Sequence, residues 1–205
     1  MPPHDHYYEP FLGSGQIMRR KHPVLTNIGF DMDGEAVKRF NETAPDHMKA
    51  FKGSMLGNLD VKGESVLIYC DPPYLLSTRT SHHRYKYDWS DDQHIEFLKW
   101  ALMLDFWKCK VMISTYPNDI YPEYLNGWRF IDFTGPTRGG PRTERLYMNY
   151  PEGQLFSTTY AGENRDIRQR IKRKAQRWQD KYKAMSICER QAILGALLAI
   201  DNSQG

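Results

Sequence analysis

Cysteine is scarce in this chain, which has three, Cys70, Cys109 and Cys188, among 205 residues. The number is odd and no pair has CxxC spacing, so neither a disulfide framework nor a zinc site is indicated. His82 and His83 are adjacent, but no carboxylate or third histidine stands at a ligand spacing from them. We therefore expect no metal.

Long apolar runs are also missing. No stretch approaches the ~20 apolar residues that a membrane-spanning helix needs, and the chain does not open with a signal-peptide pattern. We expect a soluble, intracellular protein without membrane contact. A length of 205 residues suits one domain with an appendage.

Net charge is small, at +3, but it is unevenly distributed. Between Arg165 and Lys183, nine Lys or Arg stand against Asp166 and Asp180. This segment therefore carries +7 and the remainder of the chain −4. The basic charge is concentrated near the C-terminal end.

The basic segment has helical periodicity. Ser186 and Glu189 form a capping-box pattern that predicts the start of a second helix. We expect residues 161–205 to form a basic helical hairpin, separate from a domain of residues 1–160. Its charges either contact phosphates, with Arg168, Lys172 and Lys174 as candidates, or simply face water. The first helix has an apolar seam with 4-3-4-3 spacing: Ile171, Ala175, Trp178, Tyr182 and Met185.

The most informative segment is Asp71-Pro72-Pro73-Tyr74, which follows the apolar run Val66–Cys70. The exocyclic amine of adenine is a poor nucleophile, because its lone pair is delocalised into the ring. The Asp71 carboxylate and the Pro72 carbonyl can accept its hydrogens and draw that lone pair back onto nitrogen. The prolines stiffen the turn, and Tyr74 offers a π-face to a base outside the duplex stack. Because these residues also suit an ordinary turn, a second motif is needed.

That motif lies upstream, where Gly13 and Gly15 stand one residue apart in the segment Glu9-Pro10-Phe11-Leu12-Gly13-Ser14-Gly15. Glycines let a ligand approach the backbone, as nucleotide-binding loops require, although the third glycine of the dinucleotide fingerprint is missing. The run Leu25–Phe30 predicts a strand that ends at Asp31. A carboxylate there can accept hydrogen bonds from both ribose hydroxyls. Asp33 is the competing candidate, and we prefer Asp31 for its place at the strand end.

The remaining pattern alternates strands and helices, which predicts a doubly wound α/β fold. The predicted elements are a helix over Gly34–Thr43, a helix opened by the capping box Ser90–Gln93, and strands over Val111–Thr115, Trp128–Phe133 and Arg145–Tyr150, the last two separated by a loop over Thr134–Glu144.

In this order, the two motifs resemble those of the Dam-like, alpha-group adenine-N6 DNA methyltransferases of small phage or bacterial type, over roughly residues 7–150. The resemblance implies a Rossmann-like S-adenosylmethionine-dependent fold, closed by a reversed strand hairpin. It implies direct methyl transfer to a flipped adenine held by Asp71, Pro72, Pro73 and Tyr74, in a cytoplasmic enzyme. S-adenosyl-L-methionine would be held by Pro10, Phe11, Gly13, Ser14, Gly15, Asp31, Ser54 and Asp71.

Cations interleaved with aromatics follow the catalytic turn. In this family context the cations could contact phosphates and the aromatics could contact exposed bases of a distorted DNA strand, although a solvated loop has a similar composition. Arg138 and Arg142 flank the glycines of a later loop and are weaker candidates. The candidates beside the turn are Arg79, His82, His83, Arg84 and Lys86.

The chain departs from the family pattern in three ways. About ten residues precede Phe11, so one side of the cofactor pocket is expected to be open; the tail hairpin, a second copy in a homodimer or another protein then completes it, or the enzyme is incomplete. No recognition domain separates the two motifs, which predicts low sequence specificity. Ser54 stands where the family commonly has an acid.

Three alternatives stay open. An RNA adenine methyltransferase uses the same four residues, and a catalytically silent binding or partner subunit is consistent with the short N-terminal segment. Transfer to cytosine N4 is disfavoured by Asp71, since serine is more frequent there in such enzymes. The biological role also stays open between restriction companion, self-protection of a mobile element and regulation.

Overall fold

The computed structural model describes residues 1–57, 65–78, 88–106, 109–137, 140–152 and 165–202. The chain divides into two compact units, residues 1–156 and residues 157–205. No helix in these ranges is long and apolar enough to cross a membrane.

The first unit is built on a seven-stranded sheet with the order β3-β2-β1-β4-β5-β7-β6. Strands β1 to β5 run parallel, and β7 runs antiparallel to both of its neighbours. This is a Rossmann-like sheet with a reversed final hairpin, as the family resemblance implied. The strands are β1 (His6–Glu9), β2 (Thr26–Asp31), β3 (Lys49–Lys52), β4 (Val66–Cys70), β5 (Lys110–Thr115), β6 (Arg129–Thr137) and β7 (Gly140–Met148).

Within the described ranges, four α-helices connect these strands, and the sequence explains the starts of two of them. Asp33 caps one of them by accepting from the Glu35 N–H at 3.1 Å. Ser90 and Gln93 form the predicted capping box, since each main-chain N–H donates to the other's side chain. The helices are α1 (Gln16–Arg20), α2 (Gly34–Thr43), α3 (Asp91–Phe106) and α4 (Ile120–Tyr124).

The strand β4 lies at the centre of the sheet and is buried on both faces. Its residue Ile68 packs with Phe97 and Ile113 on one face, while Leu67 packs with Met112 on the other. A strand buried on both faces reads as a continuous apolar run. Each such side chain contributes about 1.5–3 kcal/mol by burial, which fixes the position of the turn that follows.

The prediction of a loop over Thr134–Glu144 is wrong. Strand pairing continues through Thr134↔Thr143 to Thr137↔Gly140, so β6 and β7 form a long hairpin. Pro136 is tolerated because β6 is an edge strand, and Pro141 is tolerated because β7 pairs with β5 only through Arg145–Met148. A Cβ on Gly135 would lie 2.5 Å from the Glu144 carboxylate, so the Glu144 side chain would have to shift.

The second unit contains α5 (Arg165–Ala184) and α6 (Ile187–Asn202). Ser186 and Glu189 form the predicted capping box at the start of α6. The Tyr182 hydroxyl donates to the carbonyl of Arg190 at 3.1 Å and joins the two helices. The apolar seam expected along α5 is not fully buried: Trp178, one of its residues, is 57% exposed.

Candidate active site

A cavity of about 490 Å³ opens at the carboxyl ends of β1, β2 and β4. The chain passes from β1 to β2 and from β4 to β5, in opposite directions across the strand order. This edge is therefore the topological switch point at which open α/β sheets bind ligands. The volume falls within the range of about 300–1,000 Å³ that small-molecule sites occupy. Seven of the eight expected cofactor residues line the cavity: Pro10, Phe11, Gly13, Ser14, Asp31, Ser54 and Asp71.

The two loop glycines serve different purposes. Both have left-handed backbones, with φ of 51° at Gly13 and 65° at Gly15. A Cβ on Gly13 would meet nothing within 4 Å, so glycine keeps that side of the cavity open. A Cβ on Gly15 would clash with the Phe40 ring. Gly15 is therefore a packing position next to α2 and, unlike the seven residues above, does not line the cavity.

The carboxylate of Asp31 is fixed by two main-chain donors. Its Oδ2 accepts from the Gly13 N–H at 2.7 Å, and its Oδ1 accepts from the Asp33 N–H at 2.8 Å. Each oxygen keeps further acceptor capacity for a ligand hydroxyl. Asp33 also lines the cavity, but its carboxylate caps α2. This geometry favours Asp31 as the ribose acceptor.

A third carboxyl, that of Glu9, was not among the residues predicted from the sequence. Glu9 ends β1, lines the cavity and is 3% exposed. Burial raises the pKa of its carboxyl to about 8, against the lowering effect of the Tyr7 hydroxyl, which donates to Oε2 at 3.1 Å. Its place immediately before Pro10, at the end of a strand in the glycine segment, is the signal that could have identified it.

The catalytic turn contributes Asp71 and Pro73 to the cavity wall, while Pro72 is buried. Asp71 has an exposed surface, which faces the open cavity, while many protein atoms surround its carboxyl group. This desolvation raises the pKa of the carboxyl to about 6, although a hydrogen bond from the Tyr74 hydroxyl lowers it. Asp71 is therefore a carboxylate at neutral pH, able to accept hydrogen bonds from an amine.

Tyr74 is half-buried beside this carboxylate. Its ring packs edge-on against Tyr116, with 4.4 Å between centroids and 63° between planes. Its hydroxyl is hydrogen-bonded to both Asp71 and Ser114. The side chain is thus held from both ends, and its predicted contact with a base would be made by a preset ring.

An aromatic wall closes the side of the cavity near α3. Phe11 packs edge-on against Trp89 at 5.2 Å and against Phe97 at 5.6 Å between centroids. Trp89 itself lines the cavity. Trp89 was not among the residues predicted from the sequence, although its position just before the capping box of α3 places it at the same edge of the sheet.

The predicted nucleic-acid contacts are only partly described. Arg142 donates to the Thr78 carbonyl at 3.2 Å and lies 5.4 Å from the Tyr116 ring centroid, so it joins β7 to the segment after the turn. On α5, Lys172 and Lys174 are exposed and Arg168 is half-buried. The candidates Arg79, His82, His83, Arg84, Lys86 and Arg138 lie outside the described residues.

Metal binding finds no support in the described ranges, where no three His, Cys, Asp or Glu side chains come together as a ligand group. The same site does suit S-adenosylmethionine. Gly13 leaves open space, Asp31 presents fixed acceptors, and Glu9 and Asp71 place carboxyl groups on the cavity wall, where a ligand with cationic groups would be accommodated.

The sheet order and the glycine loop place this protein in the class of Rossmann-like methyltransferase folds. Residues 56–125 match the model of the D12 class N6 adenine-specific DNA methyltransferases. The match spans 70 of 205 residues and includes Asp71 to Tyr74. It confirms the resemblance to adenine-N6 methyltransferases, while the Dam-like subtype stays a prediction. No curated protein sequence matches the chain.

Solved structures with a similar fold include several methyltransferases. The ribosomal protein L11 methylase of Lactobacillus delbrueckii subsp. bulgaricus is 16% identical, with 72% of this chain and 70% of that chain covered and a TM-score of 0.45. TrmN of Thermus thermophilus is 16% identical, covering 71% and 43%, with a TM-score of 0.47. The magnesium protoporphyrin IX methyltransferase of Synechocystis PCC 6803, with bound SAM, is 11% identical, covering 71% and 70%, with a TM-score of 0.42.

Proposed function

We propose that this protein transfers a methyl group from S-adenosylmethionine to the N6 amine of adenine in DNA. One observation carries the proposal: the glycine loop with Asp31 and the catalytic turn with Asp71 line the same cavity. A methyl donor held by the first and an amine held by the second would meet there. Holding two reactants in this way is a large part of what an enzyme contributes to such a transfer.

The cofactor residues would each contact a different chemical group of S-adenosylmethionine. S-adenosylmethionine supplies a methyl group activated on a positively charged sulfur. Asp31, held by Gly13 and Asp33, would accept from the ribose hydroxyls. Ser54 lines the cavity after β3 and would be a hydrogen-bonding partner of the adenine moiety.

The residues of the turn would hold and activate the target base. Asp71 and the Pro72 carbonyl would accept from the two amine hydrogens and restore nucleophilic character to the nitrogen. No covalent enzyme intermediate is required, and Cys70, the residue next to the turn, is buried and carries a thiol whose pKa burial raises. Reaching this site requires the adenine to leave the duplex, with Tyr74 beside it.

The polymer would be held mainly through its phosphates. The exposed cations of α5, such as Lys172 and Lys174, are suited to this sequence-independent contact. Thirteen residues, 53–65, separate β3 from β4, which is too short an interval for a recognition domain. We therefore propose low sequence specificity, and methylation confined to one motif of four or more bases in sequenced product DNA would contradict it.

The test is incubation with labelled S-adenosylmethionine and either unmethylated duplex DNA or structured RNA, followed by identification of the modified base. We expect label in N6-methyladenine of DNA and none with Asp71→Asn, which retains the shape but not the charge of the side chain. Label in RNA alone identifies the RNA methyltransferase. If the wild-type chain binds no S-adenosylmethionine at millimolar concentration, the alternative of a silent partner subunit replaces the proposal.

A further inference from the structure

Two carboxyl groups reach the same cavity from neighbouring strands. Glu9 is the last residue of β1, Asp71 directly follows β4, and the parallel register Tyr8↔Ile68 aligns these strand ends. Both side chains line the cavity, and the negative charge of Asp71 raises the pKa of Glu9. Such a pair is stabilised either by a bound proton or by a bound cation.

The surroundings of Glu9 come from several elements. On β1, the Tyr7 hydroxyl donates to Oε2. The main-chain N–H of Met18 in α1 and the ammonium of Lys21 after α1 also favour the ionised form of Glu9. These groups lower the pKa of Glu9, while burial and the charge of Asp71 raise it, and burial has the largest effect. With the cavity empty, Glu9 therefore holds a proton near neutral pH.

The surroundings of Asp71 are different. Burial raises the pKa of its carboxyl, the hydrogen bond from Tyr74 on the same turn lowers it, and the charge of Glu144 on β7 raises it. Asp71 therefore loses its proton at lower pH than Glu9 does. Of the two carboxyl groups, Glu9 is the one that can respond to a ligand charge at neutral pH.

We propose that Glu9, paired with Asp71, allows the cavity to distinguish the sulfonium of S-adenosylmethionine from the uncharged thioether of S-adenosylhomocysteine. Both ligands carry the same ammonium and carboxylate groups, so they differ at sulfur by one methyl group and one positive charge. The sulfonium displaces the proton of Glu9 to solvent, whereas the thioether leaves more of it in place. The inference rests on the proposed function and names Glu9 as the residue that sets the preference for cofactor over spent product.

This arrangement has a consequence for turnover. Methyl transfer breaks the bond between sulfur and the methyl carbon and forms a bond from that carbon to the amine nitrogen, which then loses one proton to solvent. Sulfur is left as an uncharged thioether, so the pair of carboxyl groups lacks its cation. Uptake of one proton by Glu9 from solvent restores the initial state of the empty cavity. The preference for cofactor over product is therefore largest where Glu9 is already ionised, and it falls at lower pH, where the cofactor must first displace the Glu9 proton.

Calorimetric titration of the full chain with each ligand, in two buffers of different ionisation enthalpy at pH 7.5, measures the protons released. We expect S-adenosylmethionine to release up to about one proton more than S-adenosylhomocysteine. We also expect the preference for S-adenosylmethionine to increase by up to about tenfold per pH unit between about pH 6 and pH 8, because release of one more proton gives that slope. Equal proton release by the two ligands would overturn the inference.

Two variants and a control make the test specific. Glu9→Gln keeps the size of the side chain and should abolish both the difference in proton release and the pH-dependent preference. Tyr7→Phe removes a donor that stabilises ionised Glu9, so the preference should appear at higher pH. Glu42→Gln removes an exposed carboxylate of α2 and should change neither quantity.

Thermal unfolding of each variant, measured beforehand, confirms that it is folded. If Glu9→Gln retains the wild-type difference between the ligands, Glu9 is not the discriminating residue. Failure of both ligands to bind the wild-type chain would instead reject the proposed function. Binding of both without a difference in proton release rejects the inference alone.

Discussion

The main-chain N–H of Gly13 donates to Oδ2 of Asp31 at 2.7 Å, and this bond joins the glycine loop to the end of the neighbouring strand. The same carboxylate accepts from the Asp33 N–H through Oδ1 at 2.8 Å. Asp31 therefore shapes the loop as well as offering acceptors to a ligand. A change at this residue affects both functions.

Asp31→Ala should weaken S-adenosylmethionine binding by roughly 10–100-fold, since it removes charge-assisted hydrogen bonds to the loop and to the ribose. Asp33→Asn is the matched control, because asparagine is as good an N-cap as aspartate. We expect the control to weaken S-adenosylmethionine binding less than threefold, because ordinary surface substitutions have small effects. Calorimetry on both variants measures the difference, and a larger loss in Asp33→Asn would assign the ribose contact to Asp33.

The pH dependence of methyl transfer should follow Asp71. Its carboxyl pKa, raised to about 6 chiefly by burial, means that the proton-free acceptor is lost as pH falls through this value. The single-turnover rate at saturating cofactor should therefore fall about tenfold per pH unit below about pH 5.5. A rate that stays constant down to pH 4.5 in a folded protein would show that Asp71 need not be ionised.

The packing role of Gly15 gives a prediction about stability. Gly15→Ala places a Cβ against the Phe40 ring in a left-handed backbone, and should lower the free energy of unfolding by about 2–4 kcal/mol. Gly13→Ala has the backbone strain without the clash, so its cost should be about 1–2 kcal/mol. Urea unfolding compares the two, and equal costs would mean that Phe40 moves aside freely.

The sequence predicted the position of the catalytic turn because local and global signals agree there. Val66–Cys70 is an uninterrupted apolar run, as a strand buried on both faces requires, and two prolines end it. The bounds of α2 were predicted for a similar reason, since Asp33 caps it and Val37 and Phe40 form its buried side. In both cases the decisive interactions lie within a few residues of one another.

The role of Glu9 was harder to predict because its environment is assembled from distant segments. A glutamate at the end of a short strand is unremarkable until pairing of β1 with β4 brings Asp71 next to it. The hairpin of β6 and β7 was missed for a related reason. The sequence Gly139-Gly140-Pro141 indicates a loop locally, and only the pairing of β7 with the edge strand β6 shows that Gly140 and Pro141 belong to a strand.

If the cations of α5 contact phosphates, one triple variant that combines Arg168→Ala, Lys172→Ala and Lys174→Ala should bind DNA more weakly, and its binding should depend less on salt. Each lost phosphate contact lowers the slope of log K against log salt by about 0.9. The slope should therefore fall by up to about 2.7 for three contacts. Fluorescence anisotropy with a labelled duplex measures it, and an unchanged slope would mean that these side chains face water.

Glu9 should also make stability depend on pH. Burial raises the pKa of its carboxyl from 4.5 to about 8, so the folded state holds this proton more tightly than the unfolded chain does. The associated stabilisation is complete below about pH 4.5 and is lost as pH rises through about 8. Glu9→Gln carries no titrating proton, so its melting temperature should gain several degrees relative to wild type between pH 6 and pH 9.

Scanning calorimetry of both proteins without ligand measures this relative gain. Glu42→Gln, which alters an exposed carboxylate, should follow the wild-type curve. Addition of S-adenosylmethionine should reduce the gap at high pH, because a cation then compensates ionised Glu9 in the wild-type protein. A constant difference between wild type and Glu9→Gln at every pH would show that Glu9 is ionised in the empty cavity, held by Tyr7 and Lys21 alone.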